Sequence, residues 1–365
     1  MALQPGAASR DSPVSDNVEY RTAGDVFTAL GIKSMATWFE QLTGFAEVSH
    51  REVHKNISHR DDVLVSRPNG RSMVCGRLET PSLRELRKRA QEQSARQAES
   101  TVTEVVADVR ELHRDKSIAG SLFQVASQFN LLEMASPAAT PEMGVGIYQN
   151  DPTQGPACAT AAGAGTIYRN YFAVVNGRVG QTANNQIDCL ADLGAALGND
   201  GDRLWRMRNG YALATESGLA EISNRLETCN ELQVQQLRDR LRIGIQWNTE
   251  VTLAGGGHTV SQAYCSALPV AYSHVAPYFW ERFARLVLEA LYEATVCAGV
   301  LNAQASGVPI VYLTAVGGGA FGNPADWIFA AIERALHLYR NAALDVRIVS
   351  FRAPNPAVRR LISGY

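Results

Sequence analysis

The stretch VPIVYLTAVGGGAFGNPAD, Val308 to Asp326, carries three kinds of sequence in succession. Pro309 to Val316 is apolar and rich in β-branched side chains, as in a strand buried on both faces and parallel to its neighbours. Gly317, Gly318 and Gly319 follow, then Ala320, Phe321, Gly322 and Asn323. Pro324 opens a helix at a first-turn position, with Asn323 as its expected N-cap. A strand running through glycines into a helix start is a physical recipe for holding phosphate. The glycines turn backbone N–H groups inward and admit a ligand closely, and the helix start favours negative charge. The P-loop is excluded, because no Gly-Lys-Ser/Thr follows. Gly317, Gly319 and Gly322 have the spacing of a dinucleotide fingerprint, but the strand lies near the C-terminal end of the sequence, where that fingerprint does not belong. A plain strand-to-helix turn would use the same residues, so the loop by itself leaves both readings open.

Outward from this stretch, strands and helices alternate. Leu122 to Ala126, LFQVA, is a second buried strand, ending in Ser127-Gln128-Phe129-Asn130. Leu131 to Asp151 has prolines and glycines without a period and is a long loop. Thr153 to Phe172 is so rich in Ala and Gly that a helix there could approach a backbone or a ligand very closely. Thr182 to Leu197 and Asp202 to Met207 read as helices or loops, and Gly218 to Arg240 as one amphipathic helix. Leu241 to Thr252 and Val260 to Leu268 read as an antiparallel hairpin around Gly255-Gly256-Gly257. Pro277 to Ala298 is a long aromatic-rich helix, Ala325 to Tyr339 another, Val346 to Phe351 a strand and Pro356 to Ile362 a last short helix. The alternation argues for an α/β layered domain with a mostly parallel sheet. Upstream, Val63 to Ser66 and Ser72 to Gly76 flank Pro68-Asn69-Gly70, a hairpin signal. Thr80 is the expected cap of a charged helix from Ser82 to about Gln97. Thr101 to His113 reads as a helix with Val102, Val105, Val106, Val109 and Leu112 on one stripe. The expected organisation is a disordered tail over 1–17, an α+β extension over 18–115 packed on the core, and a catalytic α/β domain over 116–365.

The chain has 365 residues, 46% of them hydrophobic, enough for a sizeable core. A net charge of −2 gives no basic field, so nucleic acid is not the expected partner. The six cysteines are scattered without a CxxC pair and read as reduced thiols. No signal peptide is read at the start, and no run approaches the roughly 20 apolar residues that cross a bilayer. The expectation is a cytoplasmic protein that does not meet a membrane. The histidines show no HExxH pattern. Asp188 and Asp192 make at best a weak metal pair, so no metal and no cofactor are expected.

The order of motifs resembles the macrodomain. In that family a strand of the type V-N-A-A-N precedes the first ligand loop, and Val125 to Asn130 stands in that place here. The family's second loop, G-x-F-G, holds the diphosphate of ADP-ribose, and Gly319-Ala320-Phe321-Gly322 matches it. The resemblance covers roughly Leu122 to the C-terminal end. It implies a three-layer α/β/α fold with a mixed, mostly parallel sheet, to which the α+β extension is added. A longer string is similar to the arginine-specific macrodomain hydrolases. It runs through Phe129 to Glu133, Thr140-Pro141-Glu142, Asp151 to Pro156, and Tyr168-Arg169-Asn170-Tyr171-Phe172. Those enzymes remove ADP-ribose from arginine side chains, ubiquitin among their targets. No G-G-G-V follows Asn130 here, a departure that argues against carboxyl-ester or serine-linked substrates.

Cleaving ADP-ribose from arginine breaks a C–N bond at an anomeric carbon through a cationic transition state, which carboxylates stabilise and for which one can activate water. The leaving guanidinium also pairs with carboxylate. Glu133, Glu142 and Asp151 all lie on the first loop. Asp151 and Glu142 are the acids expected to face the distal ribose and the arginine, with Glu133 assisting. Asp151, just before Pro152, would equally suit capping the next helix. The resemblance implies that Gln128, Phe129 and Asn130, with Thr153, Gln154 and Gly155, surround the distal ribose. It also implies that Gly317, Gly318, Gly319, Ala320, Phe321, Gly322 and Asn323 hold the diphosphate, Phe321 packing on ribose. The partners so implied are ADP-ribose and an arginine-modified protein. The alternatives are a module that binds ADP-ribose without cleaving it, and a hydrolase of another ADP-ribose linkage.

Overall fold

Seven strands form the central sheet, and two of them come from segments upstream of the expected domain boundary. The computed structural model describes residues 36–93 and 98–365, and Thr37–Tyr365 forms one unit. The expected tail over 1–17 lies outside the described residues. Thr37 starts α1 (Trp38–Thr43) in a capping box with Glu40. Then come α2 (His50–Asn56) and a small sheet of β1 (Ile57–Arg60), β2 (Val63–Ser66) and β3 (Ser72–Val74). β2 and β3 pair antiparallel about the Pro68-Asn69-Gly70 turn, as that signal predicts. β4 (Arg77–Glu79) leads to α3 (Leu83–Gln93). The cap of α3 is Ser82, not the expected Thr80: the Ser82 hydroxyl accepts from the Glu85 N–H, and the Glu85 carboxylate accepts from the Ser82 N–H.

β5 (Thr101–Val106), α4 (Val109–Arg114) and β6 (Leu122–Ala126) follow, then a long loop with single turns at Pro141–Met143 and Gly146–Asn150. The Ala/Gly-rich stretch is α5 (Gln154–Ala161), a break at Ala162, α6 (Gly163–Ile167) and one widened π turn, Tyr168–Phe172. A short hairpin of β7 (Val174–Val175) and β8 (Arg178–Val179) leads to α7 (Ala191–Leu197). β9 (Trp205–Arg208) and β10 (Tyr211–Ala214) make a second hairpin, followed by α8 (Glu216–Thr228) and α9 (Glu231–Arg238). The remainder is β11 (Gly244–Glu250), β12 (Thr259–Cys265), α10 (Pro277–Ser306), β13 (Ile310–Leu313), α11 (Ala325–Leu338), β14 (Asp345–Ser350) and α12 (Pro356–Gly364).

The central sheet has the order β4-β11-β12-β6-β13-β14-β5. β12, β6, β13, β14 and β5 run parallel, and β11 is antiparallel to both β12 and β4. The sheet is mixed and mostly parallel, as the alternation predicts. Successive side chains leave it on opposite faces. Gln124 donates to Thr295 of α10 at 2.9 Å. Its neighbour Phe123 stacks on His113 of α4, centroids 3.9 Å apart, and Gln262 donates to the Cys158 carbonyl of α5. Helices therefore cover both faces, with α10 on one and α4, α5 and α6 on the other. α10 is long and apolar enough to cross a membrane by length and composition, but 89% of its most apolar window is buried in the fold. It is the core helix.

Several expectations fail for identifiable reasons. Thr101 to His113 is a strand and then a helix, because the β-branched run TVTEVV packs on the exposed side of β14, in register from Asp345↔Thr101 to Ser350↔Val106. β4 and β5 are the two edges of the central sheet, so residue 115 does not divide an extension from a core. Gly218 to Arg240 is two helices, broken where Asn230 forms a capping box with Gln233. Asp202 to Met207 enters a strand, because Asn209-Gly210 makes a hairpin turn with both residues at positive φ. Asn323 does not cap α11, whose cap position is Pro324 without a side-chain bond. The Asn323 amide donates instead to the Leu268 and Gly317 carbonyls, at 2.9 and 3.3 Å.

Candidate functional site

In open parallel sheets ligands bind beyond the carboxyl ends of the strands. Here a cleft opens at the ends of β6 and β13. The loop after β6 supplies Ser127, Gln128, Glu133 and Met134, and the entry to α5 supplies Asp151 and Thr153 to Pro156. The loop after β13 supplies Thr314 to Gly317 and Gly319 to Phe321. Tyr211 and Tyr272 close one side.

The glycine loop is built to present backbone donors. Tyr292, on α10, fixes its root: its hydroxyl donates to the Thr314 carbonyl at 2.7 Å and accepts from the Val316 N–H at 2.9 Å. Gly317 sits at φ 82°, where an added Cβ would stand 2.4 Å from Ala267. The loop closes through Gly318 N–H to Ala315 O and Asn323 N–H to Gly317 O. Those bonds leave the N–H groups of Gly319, Ala320 and Phe321 without an acceptor among the described residues. They are the natural donors for an anion. Phe321 meets Tyr211 and Tyr272, with centroids 5.4 and 5.6 Å away. Tyr211 is buried and its hydroxyl donates to the Met134 carbonyl at 2.7 Å. Together the three rings form an aromatic wall.

The acids come from the loop after β6 and the entry to α5. Glu133 is 3% exposed, and neither carboxyl oxygen has a hydrogen-bond partner among the described residues. Burial pushes its carboxyl up to about 8, partly countered by the Arg169 guanidinium 3.7 Å away. At neutral pH it is mostly the neutral acid. Asp151 is half-buried, and one of its oxygens accepts from the Thr153 N–H at 2.9 Å. It braces the turn before α5 rather than capping the helix, whose cap position is Thr153.

Of the expected residues, the structure gathers Gln128, Glu133, Asp151, Thr153, Gln154, Gly155, Gly317, Gly319, Ala320 and Phe321 around the cleft. It places the others elsewhere. Glu142 is exposed and its carboxylate accepts from the Ala183 N–H at 2.9 Å, anchoring the loop away from the cleft. Phe129 is core. Asn130 is fully buried beneath the Asn209-Gly210 turn: it accepts from the Leu132 N–H and donates to Gln186, which donates on to Asn209. Gly318 packs toward Ile328 and Gly322 toward Ala271, while Asn323 ties the loop shut. Gln154 lines the cleft, yet its amide is used on β6, accepting from Ala126 N–H and donating to Gln124 O. Asp188 and Asp192 do not converge on a metal: Asp188 accepts from the Leu190 N–H and Asp192 pairs with Arg242 at 2.8 Å. Sequence reasoning missed Tyr211 and Tyr272. The Asn-Gly dipeptide before Tyr211 was the available signal for the first; a turn after β12 carries Tyr272 and has no comparable signature.

No family model matches the chain, and no curated protein matches it. Among solved structures it is similar to poly(ADP-ribose) glycohydrolase from Thermomonospora curvata bound to the inhibitor ADP-HPD. The identity is 13% and the TM-score 0.41, covering 86% of this chain and 96% of that one. It is also similar to poly(ADP-ribose) glycohydrolase from Deinococcus radiodurans in complex with ADP-ribose. There the identity is 12% and the TM-score 0.43, covering 79% and 94%.

Proposed function

We propose that this chain is a hydrolase that removes ADP-ribose from modified arginine side chains. One observation carries the reading: the cleft is lined by the free backbone N–H groups of the glycine loop and by two acids, with no Lys, Arg or His among its lining residues. A diphosphate needs donors, and the glycine loop offers them without a cation. The group departing from the anomeric carbon meets Glu133 and Asp151. The Asp151 carboxylate favours a guanidinium there and would repel the pyrophosphate of a polymer, while the neutral Glu133 offers a proton. A shallower cleft at the ends of β13 and β14 shares Thr314 and Ala315 with the first and has room for the adenosine end.

In this reading, water adds to the anomeric carbon as the C–N bond to the guanidine breaks. Asp151 stabilises the positive charge that develops on the sugar. Glu133, largely protonated, supplies the proton that the departing guanidine takes up, and water's proton restores it. The Asp151–Thr153 turn favours a second reading, in which Asp151 only shapes the loop and the chain binds ADP-ribose without cleaving it.

The test is ADP-ribose release from arginine-, serine- and glutamate-modified proteins and from poly(ADP-ribose), with binding of free ADP-ribose followed by calorimetry. Release from the arginine substrate alone is expected, and Asp151→Ala should lower it about 10²–10⁴-fold with far less effect on ADP-ribose affinity. Release from a different linkage overturns the arginine assignment. Tight binding without release from any substrate establishes the second reading.

A further inference from the structure

The buried groups beside the cleft include one pair whose polar capacity is not used up. Arg169, on the π turn, is fully buried. Its Nε donates to the Leu131 carbonyl at 3.0 Å and its Nη2 to Thr166 Oγ1 at 3.1 Å, and its guanidinium lies 3.6 Å over the Tyr264 ring. Leu131 holds a left-handed backbone, φ 65°, as it offers that carbonyl. Nη1 has no partner among the described residues, and neither do the two carboxyl oxygens of Glu133. Resting the cation on an aromatic face while leaving a donor and a neighbouring acid unpaired is costly unless something gains from it.

We propose that Arg169 is a positioning residue for Glu133, its buried guanidinium facing the carboxyl beside the cleft. The same charge acts on the pH at which that carboxyl ionises. This rests on the reading above that the cleft is the hydrolytic site. The pair is 3.7 Å apart, too far for a hydrogen bond but close enough for a charge to act. Glu133 is surrounded by Tyr148, Tyr264 and Cys158, each driven further toward its neutral form by burial. Arg169 is the charged group that acts on it against burial. Glu133 Cγ also lies where Gly155 leaves room for it, so the stem of the side chain packs against the start of α5. Removing the guanidinium leaves burial unopposed and moves the Glu133 transition to higher pH.

Thermal unfolding against pH reads this without a substrate. Folding raises the Glu133 carboxyl from 4.5 to about 8. Its contribution to stability is therefore full below about pH 4.5, declines as pH rises, and is gone above about pH 8. Glu133→Gln should abolish that decline, and Arg169→Met should carry it about 1 unit or more further up. A decline that survives Glu133→Gln, or ends at the same pH in Arg169→Met, overturns the proposal. Arg169→Lys serves if the Met variant does not fold. One ammonium cannot hold both Leu131 O and Thr166 Oγ1 in the planar fork, so kcat should fall at least about tenfold with KM nearly unchanged, while the charge keeps the decline in place. Wild-type turnover in that variant also overturns the proposal. If wild-type protein releases no ADP-ribose while the unfolding profiles behave as stated, the hydrolase reading fails and the Arg169–Glu133 coupling stands.

Discussion

At Gly155 an added Cβ would stand 1.9 Å from the Ala126 carbonyl oxygen and 3.3 Å from Glu133 Cγ. The position thus brings α5 onto the end of β6 and gives Glu133 its space. Gly155→Ala should lower stability by about 1–3 kcal/mol, the usual cost of forcing atoms into a filled interior, and should lower turnover as Glu133 is displaced. Calorimetric unfolding and an activity assay check it; unchanged stability would mean the contact is not tight. Glu133, Glu142 and Asn130 also show what sequence can and cannot say about single residues. All three sit on one loop between two legible elements, so a search for acids near a glycine loop finds both glutamates. Which of them points inward is decided by Tyr148, Arg169 and the Ala183 N–H, partners distant along the chain. Asn130 matched a motif position, yet the β9–β10 turn covers it, and no local signal in Gln128–Asn130 could show that.

The β9–β10 hairpin closes one side of the cleft through Tyr211. Its turn residue Gly210 has φ 80°, and an added Cβ there would stand 2.5 Å from Asn130 Oδ1. The Gly210 carbonyl accepts from the Phe129 N–H at 3.0 Å, so the turn is docked on the first loop. Tyr211, the next residue, carries that placement into the aromatic wall. Gly210→Ala should lower both melting temperature and ADP-ribose affinity. Gly201→Ala is the control, since Gly201 is also left-handed at φ 63° but an added Cβ meets nothing within 4 Å. It should cost stability through backbone strain alone and leave affinity as in wild type. Equal affinity in both variants would detach the hairpin from the site. Elements whose apolar period is long, such as α10, or whose strands are flanked by glycine, such as β13, are legible from sequence. β5 was misread because a valine stripe fits a helix and an edge strand equally well until β14 is known to lie beside it.

On the scale of the whole molecule, α10 joins the cleft to the opposite side of the fold through two consecutive residues. Tyr292 holds the root of the glycine loop, as described above. Glu293, also buried, accepts from Arg87 of α3 and, at 2.7 Å, from Arg334 of α11. Arg87 reaches on to Asp239 just after α9. Hydrogen bonds and charge from Arg87 and Arg334 hold the Glu293 carboxyl below its ordinary 4.5, against burial that would raise it. A carboxyl depressed by folding contributes stability that is complete above about pH 4.5 and is lost as pH falls through the lower folded value. Glu293→Gln should therefore be markedly less stable at neutral pH, by about 3–5 kcal/mol for leaving partly buried arginines without their counter-charge. The gap to wild type should close below pH 4.5. ADP-ribose affinity should hold, because the network faces away from the cleft. Tyr292→Phe should do the reverse: it keeps the packing of α10 and loses the two bonds at Thr314 and Val316, so the loop loosens. Affinity falls by about tenfold for some 1.4 kcal/mol of lost positioning, while stability changes little. Melting curves across pH, set beside ADP-ribose titrations of the two variants, decide it. If Glu293→Gln weakens binding as much as Tyr292→Phe does, the two faces of α10 are not independent and the loop is held by the fold as a whole rather than by Tyr292.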